Sequence, residues 1–152
     1  ENNIAKKITE KLQPLQDVGL GYVQLGQSSN TLSGGEAQRI KLASFLGKGM
    51  SSDSKQRTLF VFDEPTTGLH FHDISKLMRA FYDLIALGHS IVVIEHNTEV
   101  IKCADWLIDL GPEGGDAGGN LVYEGAPEGL LKVEHSYTAQ CLQGKLVSVA
   151  AT

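Results

Sequence analysis

Three short groups of residues could do chemistry: Ser33-Gly34-Gly35, Asp63-Glu64 and His96. Asp63 and Glu64 follow an apolar run, Leu59 to Phe62, that reads as a strand buried on both faces of a parallel sheet. Ligands of open α/β sheets bind beyond the carboxyl ends of the strands, where this acid pair emerges. An aspartate there suits Mg2+ held through water, and an adjacent glutamate can orient or deprotonate a hydrolytic water. Taken alone, the pair is also what two acids emerging into solvent look like. His96 leaves a second apolar strand, residues 91–94, in the same way. A lone histidine there is more often structural, yet its ring N–H could meet a terminal phosphate.

Ser33 and Glu36 have the spacing of a capping box, in which hydroxyl and carboxylate satisfy orphan N–H groups at a helix start. Ile40, Ala43 and Leu46, with Leu42 and Phe45 beside them, predict an amphipathic helix from about Glu36 to Leu46. The cap leaves Gly34 and Gly35 unexplained, although each costs a helix about 1 kcal/mol relative to alanine. Bare backbone at a helix N-terminus presents N–H donors at the positive end of the dipole, which suits a phosphate.

The elements that must position these groups alternate. Ile4, Ile8 and Leu12 predict an opening helix that ends before Pro14, and residues 17–31 read as loop. A dinucleotide fingerprint is rejected there, because Gln24 stands where the third glycine belongs. Residues 47–57 read as a polar connection. Ile74, Leu77, Met78, Phe81 and Ile85 predict a helix after the acid pair, ended by residues 88–90. A short helix follows around Thr98 to Cys103, then a strand at Asp105 to Leu110, a glycine-rich loop, a strand at 121–125 and a polar helical tail around Pro127 to Cys141. The order implies an α/β fold with a mostly parallel sheet flanked by helices. The last two strands are joined too closely for a crossover and pair as an antiparallel hairpin.

The chain has 152 residues, 41% of them apolar and 20% charged, enough for one domain with a real core. A net charge of −5 gives no basic field that would point to nucleic acid. No apolar run is long enough to span a membrane. Cys103 and Cys141 form no metal-ligand pair, so no zinc site is expected in this chain, and two lone cysteines fit a reducing cytoplasm. Glu1 is no natural start, so the chain looks like a piece of something longer.

Residues 32–39 (LSGGEAQR), 59–64 (LFVFDE) and His96 occur in the order of motifs in ABC-type ATPases. The sequence resembles that family, with a signature motif, a Walker B strand, a D-loop at Thr67 to His70 and an H-loop histidine. The resemblance is closer still to the UvrA family, the damage-recognition ATPases of bacterial excinuclease ABC. It is carried by residues 18–43, by 63–73 (DEPTTGLHFHD) and by 109–119 (DLGPEGGDAGG), and runs from about Leu12 to Leu142. It implies the end of the second ATPase domain: a lead-in helix and loop at 1–31, the signature helix at 32–46, the Walker B to H-loop core at 58–110, and a hairpin and helix at 111–142. It further implies ATP and Mg2+ as cofactors, Asp63 serving Mg2+, Glu64 the attacking water, and His96 the γ-phosphate of its own domain. Ser33, Gly34 and Gly35 would touch the ATP held by an opposing nucleotide-binding domain. In the family, a cytoplasmic homodimer couples ATP binding and hydrolysis to scanning DNA and loading UvrB.

The departures limit what the chain can do alone. No G-x-x-x-x-G-K-[ST] string occurs, since Gly47-Lys48-Gly49 lacks the spacing and the hydroxyl residue. The Walker A part is therefore absent, the isolated chain is expected to have little ATP affinity, and the strand that Walker A would follow leaves a gap in the sheet. The family's zinc modules would lie elsewhere. Rival readings are a paralogue serving antibiotic self-resistance, a transporter ATPase and a chromosome-maintenance ATPase. His70 and the loop at 111–119 argue against the transporter, and the lack of a heptad coiled coil against the last.

Overall fold

The computed structural model describes residues 2–47, 57–111, 113, 115 and 118–145. Most of the polar connection at 47–57 and several positions of the glycine-rich loop thus lie outside the described residues. The chain divides into two compact units, Glu1–Glu95 and His96–Thr152.

The first unit opens on helix α1, Asn2–Asp17. The expected stop before Pro14 is not observed, and the helix runs through it. A proline removes one backbone donor and crowds one carbonyl, a cost that packing can offset. Here the ring lies against Gly47 at the end of the next helix, where a side chain would come within 3.2 Å of it. The following loop sinks Val18 and Leu20 fully into the core. Helix α2 spans Gly34–Gly47, strand β1 Leu59–Asp63, helix α3 Phe71–Ala86 and strand β2 Ser90–Ile94.

β1 and β2 pair in parallel, in register from Leu59 with Ser90 to Asp63 with Ile94. Their inner face meets the helices. Phe62 lies 4.9 Å from Phe81 of α3, and Phe60 lies 4.9 Å edge-on from Phe45 of α2. Leu42, Leu77, Ala80, Phe81 and Leu84 complete this core. Burial on both faces of the strands, which the apolar runs predict, is not observed. Val61 and Ile94 are 60% and 57% exposed. Among the described residues the helices of this unit pack on the face that carries Phe60, Phe62, Ile91 and Val93, and the alternate residues Val61, Val92 and Ile94 are exposed.

The second unit contains α4 (Thr98–Ile101), β3 (Leu107–Gly111), β4 (Asn120–Gly125), α5 (Pro127–Leu130) and α6 (Tyr137–Leu142). β3 and β4 form the expected antiparallel hairpin, with an irregularity in register between Asp109 and Leu110. The single helical tail is instead two short helices joined by turns. Ser136 breaks it, because its hydroxyl accepts from Ala139 N at 2.9 Å as the N-cap of α6. That tail is not purely polar either, since Leu130, Ala139 and Leu142 form the core of the unit with Ile101.

Candidate functional site

The N-terminus of α2 carries the capping box read from the sequence. Ser33 N donates to Glu36 Oε2 at 2.7 Å, and Ser33 Oγ accepts from Glu36 N at 3.3 Å. Tyr22 OH adds a 2.5 Å bond to the other carboxylate oxygen. That bond, followed by those from Ser33, holds the Glu36 carboxyl below its usual range, while burial and the same bond push the Tyr22 phenol up.

The two glycines have different surroundings. Among the described residues a side chain on Gly34 would meet nothing within 4 Å, so its backbone is open to an approaching group. A β-carbon on buried Gly35 would come 3.2 Å from Glu64 O, 3.3 Å from Arg39 Nη1 and 3.5 Å from Thr67 Cβ. Gly35 is small because the turn after β1 lies against it. Gly34 has no such packing reason. Both N–H groups belong to the first helical turn, which has no i−4 carbonyl to serve.

Asp63 ends β1 and is exposed, with its N–H donating to Gln38 Oε1 at 3.0 Å. Glu64, also exposed, has φ +46°, the left-handed region. A residue with a side chain pays about 1–2 kcal/mol for that conformation. The surrounding bonds over-determine it: Glu64 N donates to Ile94 O at 2.9 Å, and Thr67 N donates to Glu64 O at 3.1 Å. Strain of this kind clusters at functional sites. The structure thus brings Gly35 to the backbone of Glu64 within one unit. His96 stands exposed at the opening of the other unit, directly after Glu95.

Three residues without an assigned role in the sequence reading complete the site. Arg39 is fully buried, and its Nη1 donates to Pro65 O at 2.5 Å and Thr67 O at 3.2 Å. Glu95 accepts from Thr66 N at 2.9 Å and from Thr66 Oγ1 at 2.5 Å. Gln38 is the third. The signal for Gln38 and Arg39 was their i+3 and i+4 spacing from Gly35, which puts all three on one face of α2. Nothing local marked Glu95.

The residues suit the groups that such a site would hold. A carboxylate ending a strand, beside a second one in a strained turn, matches the oxygen donors that Mg2+ takes. An open glycine at a capped helix start matches a phosphate. Among the described residues no cluster of three or more His, Cys, Asp or Glu could hold a metal by itself, and Cys103 and Cys141 are not joined in a disulfide.

No family model matches the chain. Its course is similar to that of a bacterial Atm1-family ABC exporter solved with ATP bound, at TM-score 0.58 and 20% identity over 94% of this chain and 24% of that one. At that identity the likeness concerns the fold alone, which is an ABC-ATPase fold. UvrA2 from Deinococcus radiodurans is similar at TM-score 0.79 and 41% identity, over 95% of this chain and 17% of that one. UvrABC system protein A of Agrobacterium fabrum is 59% identical over 136 residues, and that of Rhizobium meliloti 57%. The chain belongs to the UvrA family, and its matched part spans 14% of the length of these two relatives.

Proposed function

We propose that this chain supplies the signature, Walker B, D-loop and H-loop parts of a UvrA-type ATPase that couples ATP binding and hydrolysis to DNA-lesion recognition and UvrB loading in nucleotide excision repair. The observation that carries this reading is the 59% identity to UvrABC system protein A over 90% of the chain, which includes every candidate site residue. In this reading Glu64 positions or deprotonates the attacking water, and the strained turn aims it. Asp63 would hold Mg2+ through water, His96 would contact the γ-phosphate, and Ser33, Gly34 and Gly35 would serve the ATP of an opposing domain in a cytoplasmic homodimer. ATP and Mg2+, when bound, supply the phosphoanhydride and its charge neutralisation. Among the described residues no helix is long and apolar enough to cross a membrane.

The test is Glu64→Gln in the complete protein with the other ATP site silenced. ATP binding should persist while single-turnover hydrolysis slows strongly, because only the water-orienting carboxylate is lost. Hydrolysis at the wild-type rate would remove Glu64 from the role. The isolated chain lacks a Walker A string, so calorimetry should detect no micromolar Mg·ATP binding to it.

A further inference from the structure

We propose that Arg39 and Glu95 are positioning residues: together they clamp the Pro65-Thr66-Thr67 turn from two sides and so fix the backbone that presents Glu64. The catalytic consequence rests on the ATPase reading above, whereas the clamp itself does not.

Four of the turn's polar groups are divided between the two side chains by chemical type. Two of its carbonyls, Pro65 O and Thr67 O, both accept from one nitrogen of Arg39, while Thr66 O accepts from Leu69 N. Two of its donors, Thr66 N and Thr66 Oγ1, both go to one oxygen of Glu95, while Thr67 N goes to Glu64 O. A cation takes the acceptors and an anion takes the donors, so each partner is matched to its set and strengthened by charge. Pro65 and Thr66 are themselves buried; the Arg39–Pro65 bond is buried and the other three are partly buried, so water has only limited access to them.

Packing alone does not call for arginine at position 39. The side chain is fully buried, and among the described residues its Nε and Nη2 have no hydrogen-bond partner. A methionine would fill similar volume without stranding two donors, and buried charges are often replaceable by apolar side chains. What arginine adds is the Nη1 bridge across Thr66. The bridge originates on α2, four residues after Gly35, whose missing side chain lets Glu64 O approach. Gln38 on the same face holds Asp63 N. Any shift of the signature helix is therefore transmitted to the backbone of both acidic residues. Glu95 ties the same turn to the end of β2, the residue before His96.

The experiment uses the full-length protein with Arg39→Met, Glu95→Ala and Glu95→Gln. Amide hydrogen exchange at Thr66, Thr67 and Leu69 should quicken about tenfold or more in Arg39→Met and Glu95→Ala, while amides of β1 and the middle of α3 keep their protection. Glu95→Gln retains an acceptor oxygen and should restore most of the protection. In steady-state hydrolysis, kcat should fall about a hundredfold at nearly unchanged KM for ATP, as expected when a catalytic group is misplaced by an ångström. Unchanged exchange at the turn in Arg39→Met would overturn the clamp. So would exchange that quickens equally through α2, β1 and α3, because the residue would then serve only the fold. A kcat at wild-type level despite a loosened turn would overturn the positioning role. A parent protein that hydrolyses no ATP would instead sink the ATPase reading, and the exchange pattern would still decide the clamp.

Discussion

Replacing each signature glycine by alanine separates the two jobs that one pair of adjacent residues performs. Gly→Ala in a helix gains about 1 kcal/mol from propensity and the reduced freedom of the unfolded chain. At Gly34 nothing among the described residues lies within 4 Å of the new methyl group, so Gly34→Ala should be neutral or stabilising by up to that amount. At Gly35 the methyl group would meet Glu64 O at 3.2 Å and Arg39 Nη1 at 3.3 Å. Neither neighbour can give way cheaply. Glu64 O accepts from Thr67 N, and Arg39 is bonded to the carbonyls of the same turn. Overpacking of this kind costs about 1–3 kcal/mol, which outweighs the propensity gain in most of that range. Gly35→Ala should therefore be less stable than Gly34→Ala by about 1–3 kcal/mol, or roughly 3–10 °C in melting temperature at this chain length. Urea unfolding of the chain followed by circular dichroism, at dilutions where it stays monomeric, gives the difference directly. Equal stability of the two variants would refute the assignment of Gly35 to close packing. In the complete protein the order should reverse for bulk at the open site: Gly34→Val should fold normally and lose ATPase activity.

The Tyr22–Glu36 bond predicts a stability profile that falls at both ends of the pH scale. Glu36 titrates lower in the folded chain, chiefly through the Tyr22 bond, so its contribution is present above its ordinary 4.5 and lost as pH falls through the depressed value. Tyr22 titrates higher when folded, through burial first and Glu36 second, so its contribution is present below its ordinary 10.0 and lost as pH rises through the raised value. Tyr22→Phe should flatten both limbs in urea titrations, and unchanged limbs would show that the bond does not form in solution. In the second unit, buried Ser136 both caps α6 and donates to Asp109 Oδ2 at 2.6 Å. Ser136→Ala should destabilise that unit by about 2 kcal/mol, the sum of a lost cap and a half-buried carboxylate short of one donor. Thr138→Val, which removes only the 2.8 Å bond to Asp109 Oδ1, should cost less in the same denaturation assay.

Much of the architecture is written in local pattern. The capping box at Ser33 and Glu36, the helix after it, the alternation of apolar strands with helices and the closing hairpin all depend on residues within a few positions of one another, so spacing alone determines them. The placing of Asp63 and Glu64 at a strand end follows from the same apolar run. Three features were decided only in tertiary structure. The helix passes through Pro14 because Gly47, thirty-three residues later, makes room for the ring. Val61, Val92 and Ile94 of β1 and β2 are exposed within the first unit because which face of a sheet helices cover depends on where those helices pack, and an apolar run carries no record of that. The division of labour between Gly34 and Gly35, and the grip of Arg39 and Glu95 on the turn between them in space, depend on contacts 26 to 29 residues apart. Local spacing specifies which backbone groups an element leaves unpaired. Which distant side chain comes to satisfy them is settled only when the elements pack.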